Sequence, residues 1–151
     1  MISLINQIVD IEGPIHTDLL YSRITEAWGI RCGQLVQEKI RTALSVEVHN
    51  KRLIHKNSFV WKENNTNCVR IPKGSIGKRK VEHIGMDEIC QAILLCLKSA
   101  ISLDEEDLLK EVANLYDLRM TYSVTLRIKS AFGFLKKIEK ARIQKNRIYC
   151  Q

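Results

Sequence analysis

The sequence predicts a mainly α fold with short β-hairpins, arranged as a tandem winged-helix repeat in which each helix-turn-helix unit carries a wing. Three observations lead there. The apolar pattern repeats without gaps at an offset of 88 residues: Ile5, Leu20, Ile24, Val36 and Ile40 recur as Ile93, Leu108, Val112, Val124 and Ile128. Each copy holds three stretches of helical periodicity followed by two short strand-like runs. A single apolar residue, Ile15 or Leu103, stands between the first and second helices and suits a small third strand. A plain three-helix bundle would need neither the hairpins nor that residue.

The elements follow in order. Ile2, Ile5, Ile8 and Val9 give a first amphipathic helix ending near Gly13-Pro14. A second is predicted from about Thr17 to Trp28, with Gly29 as the break. A third runs from about Gly33 to Glu47 through Val36, Ile40, Ala43 and Leu44. Arg52-Leu53-Ile54 and Phe59-Val60-Trp61 then flank a four-residue turn. In the second copy, Ile89 to Ser99 is the first helix. Ser102 with Glu105 has the spacing of a capping box and opens the second helix, which ends near Tyr116. The third is expected to reach about Lys140. Arg142-Ile143 and Ile148-Tyr149 form the second hairpin, two residues later than the strict offset predicts. Trp28 and Tyr116 hold equivalent positions and read as core residues. The organisation is therefore 1–63 for the first module, 64–85 for an ordered basic strap, and 86–151 for the second module.

Composition narrows the function classes. A content of 45% hydrophobic and 27% charged residues is that of a globular chain. No apolar run approaches bilayer length, and the start lacks the features of a secretory signal, so a cytoplasmic location is expected. The cysteines Cys32, Cys68, Cys90, Cys96 and Cys150 contain no CxxC pair, and the four histidines lack metal-ligand spacing. Reduced thiols and no metal or other cofactor are expected. Neither a phosphate loop nor a nucleophile with base and orienting acid can be found, so no catalytic residues are assigned and the chain is not read as an enzyme. Asp104 to Asp107 suit the first turn of a helix, where carboxylates complement the dipole.

The net charge of +7 is unevenly placed. From Tyr122 to Gln151 there are eight basic residues and one acid, Glu139. In a winged helix the third helix usually enters the major groove and the wing touches backbone. The outward face of the second copy's third helix carries Leu126, Lys129, Gly133, Lys137 and Lys140, with Lys136 at its margin, and Arg142, Lys145 and Arg147 continue the track onto the wing. These seven basic residues are the candidate nucleic-acid contacts, neutralising phosphates with little base selectivity. Lys78, Arg79 and Lys80 form a secondary basic strap. In the first copy Glu38 occupies the middle of the same face, so DNA contact, duplex or forked, is assigned to the second. The rival reading is a protein-docking module without direct DNA contact, since winged helices also serve that role. Neither membrane nor small-molecule substrate is implied.

The run Ile8-Val9-Asp10-Ile11-Glu12-Gly13-Pro14-Ile15-His16, with Leu19-Leu20, Arg23-Ile24 and Ala27-Trp28-Gly29 after it, resembles an uncharacterised domain near the C-terminus of large bacterial proteins. Those proteins also carry a superfamily-1 helicase-like ATPase and often a nuclease domain related to very-short-patch repair endonucleases. The resemblance covers about Ile8 to Leu44. It implies an accessory module of a DNA-processing or phage-defence protein, with the ATPase and nuclease domains of a parent protein as partners. It brings no catalytic residues, because neither helicase motifs nor a nuclease core is present.

Overall fold

A computed structural model describes residues 1–64, 68–74, 77–100, 102–138, 141–144 and 147–150. The chain is mostly helical with short antiparallel strand pairs, and its contacts divide it into two compact units, Met1–Thr66 and Asn67–Gln151. The connecting residues from Asn67 onward group with the second unit.

The first unit runs α1 (Ile2–Glu12), β1 (Ile15–His16), α2 (Thr17–Trp28), α3 (Gln34–His49), β2 (Ile54–Lys56) and β3 (Phe59–Trp61). Its three antiparallel strands lie in the order β1-β3-β2. The His16 side chain caps α2 by accepting the Asp18 amide, and Gly29 closes that helix in the left-handed conformation at φ +64°, where a side chain would be strained. The helical stripes and the hairpin meet in a core of Ile5, Val9, Leu20, Ile24, Ile40, Leu44, Leu53 and Val60. This core also encloses a charge. Glu47 is fully buried, accepts from Asn6 Nδ2 at 2.7 Å and pairs with Arg52 at 3.3 Å. Partnering of this kind is what makes a buried carboxylate tolerable.

The second unit has a 3-10 turn at Val81–His83, then α4 (Met86–Ala100), α5 (Glu105–Leu115), α6 (Tyr122–Lys137), β4 (Ala141–Gln144) and β5 (Arg147–Cys150). The 88-residue offset holds here to the residue. Ile93, Leu97, Leu108, Val112, Ile128, Phe132, Ala141 and Ile148 are all buried in this unit's core, each 88 positions after a core residue of the first unit. α3 and α6 are both 16 residues long and start 88 apart. The pairing Ile15↔Val60 recurs as Leu103↔Ile148, with two backbone hydrogen bonds of 3.2 and 2.7 Å between Leu103 and Ile148.

Three expectations are corrected by this arrangement. The second hairpin does not slip by two residues: Ile54↔Trp61 and Arg142↔Tyr149 sit at one common offset, and α6 stops at Lys137, level with α3. The helix α5 is capped by Asp104, whose Oδ1 accepts the Asp107 amide at 2.8 Å, and not by Ser102. Ser102 cannot start it because the next residue, Leu103, is extended and bridged to Ile148. Trp28 is 40% exposed whereas Tyr116 is 3% exposed. The difference comes from Arg79, whose guanidinium lies 5.8 Å from the Tyr116 ring centroid, and from α4, whose Glu88 carbonyl accepts the Tyr116 hydroxyl.

Candidate nucleic-acid interface

α6 is positioned by its buried stripe. Val124, Ile128, Ala131, Phe132 and Leu135 pack into the second core, and the Thr121 hydroxyl caps the first turn through the Val124 amide. This rotation turns Tyr122, Leu126, Lys129, Lys136 and Lys137 to solvent. Gly133 lies mid-helix with nothing within 4 Å of where a Cβ would stand. The interior therefore does not require a glycine there, although it weakens the helix by about 1 kcal/mol relative to alanine.

The predicted contacts do not form one uniform set. Lys129 reaches the first turn of α5, with Nζ 2.7 Å from Glu105 Oε1 and both side chains about half exposed. Lys136 folds back over the Phe132 ring, 5.0 Å from its centroid. Lys137 is exposed and has no ion-pair partner among the described residues. Arg142 on β4 is exposed as well. Arg147 on β5 donates from Nε to Ser102 Oγ and from Nη2 to the Ser102 carbonyl, both at 3.1 Å, while the residue stays exposed. Lys140 and Lys145 lie outside the described residues. The α5 start thus sits beside this track: the Asp104 carboxyl is held below its ordinary value by the Asp107 amide first, with the charge of Arg147 contributing.

The basic strap also resolves into different parts. Lys78 pairs with Asp117 at 2.5 Å, and Lys80 is exposed. Arg79, expected at the surface with them, has a side chain only 7% exposed and is not available to a phosphate. It donates to both oxygens of Glu88, at 2.7 and 2.9 Å, and to the Arg70 carbonyl at 2.8 Å. Arg70 adds its amide and guanidinium to the same carboxylate, each at 2.9 Å. Burial pushes the Glu88 carboxyl up. The hydrogen bonds and charges of Arg79 and Arg70 outweigh it and hold the group below its ordinary value of 4.5. This network binds the segment before α4 to the second core. A signal for it existed in the sequence, since Glu88 precedes Ala92 and Cys96 on the stripe of α4 that faces inward.

The thiols behave as small apolar groups where buried. Cys90 and Cys96 are both pushed up to about 11, chiefly by burial, with the charges of Asp87 and Glu111 respectively in support. Cys32 and Cys68 are exposed. No helix among the described residues is long and apolar enough to cross a membrane.

The surface of α6 also carries apolar side chains, of which the helical pattern gives Leu126. Tyr122 is 83% exposed, Leu126 53% and Phe134 47%. Tyr122 and Leu126 share the outward face with the lysines, and Tyr122, the first residue of α6, is the one that the pattern left unassigned.

Among comparisons with known proteins, a family model described as "Protein of unknown function (DUF3320)" matches residues 1–38, which span α1, β1, α2 and the start of α3. No curated protein and no solved structure shows a significant match to the chain.

Proposed function

We propose that each unit is a winged helix, that the two are copies of one module, and that the second acts as a non-catalytic nucleic-acid-binding element. The preserved register of hairpin and third strand at one offset supports the first part. The observation that carries the second is the run of exposed cations from the end of α6 onto the hairpin: Lys136, Lys137, Arg142 and Arg147. Cations arranged this way fit a phosphate backbone, where each contact releases condensed counterions. The first unit lacks that surface, because Glu38 occupies the outer face of α3. The sequence resemblance over Ile8 to Trp28 suggests an accessory module of a helicase-like parent with a nuclease domain.

Fluorescence anisotropy with a short duplex tests this reading. Binding should fall with salt with a log–log slope of about −4, the value for about four phosphate contacts. Lys136→Glu, Lys137→Glu and Arg142→Glu together should remove it while leaving the circular dichroism unchanged. Absence of binding to duplex, single-stranded and forked DNA at low salt would refute it. A second reading, protein docking, is favoured by a specific observation, the exposure of Tyr122 and Leu126 on α6.

A further inference from the structure

The outer face of α6 is not what either the fold or phosphate binding asks for. A solvent-facing helix surface is ordinarily polar, yet Tyr122 and Leu126 are exposed there at 83% and 53%. The fold does not need them. Their counterparts on α3, 88 residues earlier, are Gln34 and Glu38, in a helix of the same length built on an equivalent buried stripe. The same face carries Gly133, beside open space, where the counterpart is Ser45. A mid-helix glycine with no neighbour leaves room for something from outside to approach the backbone.

Charge says what would approach. Tyr122–Lys137 contains no acidic residue. Lys129 is taken up by Glu105 of α5 at 2.7 Å. Lys136 and Lys137 remain as exposed cations at the far end of the face, unpaired with any carboxylate among the described residues. Leu126 and Lys137 are eleven residues apart, about 16 Å of helix axis and so about three turns. That length and pattern fit another helix, whose apolar stripe would lie on Tyr122 and Leu126 and cross closely at Gly133. Lys137, with no ion-pair partner among the described residues, would then meet a carboxylate from the partner.

We propose that the outer face of α6 docks an acidic amphipathic helix of a partner protein or partner domain. This deepens the docking reading and does not rest on DNA contact.

The test uses the whole 151-residue chain and three labelled helical peptides. One carries leucines at heptad spacing flanked by glutamates, the second replaces every glutamate by lysine, and the third scrambles the first. The acidic peptide should bind saturably in the micromolar range and the other two should not. Two variants examine the face itself. Tyr122→Gln with Leu126→Gln makes it polar like the corresponding face of α3. Gly133→Leu fills the notch with a better helix former. Each should weaken the acidic peptide tenfold or more with an unchanged far-UV spectrum. Equal binding of acidic and basic peptides, no saturable binding of the acidic one, or indifference to both variants would overturn the proposal. So would a loss of duplex binding in the neutral glutamine variant, which would give this face to nucleic acid. Failure of DNA binding alone leaves the peptide result standing, so the two readings fail separately.

Discussion

At the scale of single residues, Glu88 shows how a charge can organise a segment that has no regular structure. The carboxylate satisfies two arginines and an amide, and the arginine that stacks on Tyr116 also closes over the end of α5. Glu88→Ala leaves Arg79 buried without its counter-ion and should cost about 3 kcal/mol in urea unfolding of the second unit. The pH dependence has a definite sign. The native carboxyl titrates below its ordinary value of 4.5, so the network's contribution is whole above that value and shrinks as pH falls below it. Glu88→Gln should flatten the acid limb of a stability–pH curve, while wild type should weaken below about pH 4.5. Thiol chemistry gives a second check. Cys90 and Cys96, pushed up to about 11, should resist alkylation at mildly alkaline pH until unfolding, whereas Cys32 and Cys68 should react in the native state. The pair Lys129–Glu105 belongs here as well. If α6 meets phosphate, Glu105→Gln should raise duplex affinity by about two- to fivefold, since an exposed pair of this kind is worth at most about 1 kcal/mol.

At the scale of elements, α5 and α6 are the informative pair. Asp104 caps α5 because the residue before it is held in the bridge to the hairpin, so Asp104→Ala should cost about 1 kcal/mol and Ser102→Ala distinctly less. Thermal melts of the two variants would order them. Gly133→Ala should stabilise α6 by up to about 1 kcal/mol, because no atom opposes the added methyl. These elements also show what was legible beforehand. The stripes Leu108–Val112 and Val124–Ile128 placed both helices, since periodicity reports which face is buried. The cap was misplaced because Ser102 and Asp104 are both good capping residues, and a backbone bridge made over a long stretch of sequence decides between them. The apparent slip of the second hairpin has the same origin. In a two-stranded run, alternating residues such as Arg142 and Ile143 leave the register open, and the Leu103↔Ile148 bridge fixes it.

At the scale of the whole molecule, one recurring apolar pattern is what the sequence by itself determined. Eight core positions of one unit recur at a single offset in the other, and that follows from patterning because both units bury the same faces of their helices. The division of basic residues was decided only by tertiary structure. Lys78, Arg79 and Lys80 are adjacent and alike in sequence, yet one meets Asp117, one is buried on Glu88 and one faces solvent. On α6 the helical pattern itself sets Leu126 apart from Val124 and Ile128, and the structure adds the exposure of Tyr122 on the same face. Composition and spacing state how much charge and apolar surface a helix carries. Which of it remains available to a partner depends on side chains brought together from distant positions, and those meet only when the chain has folded.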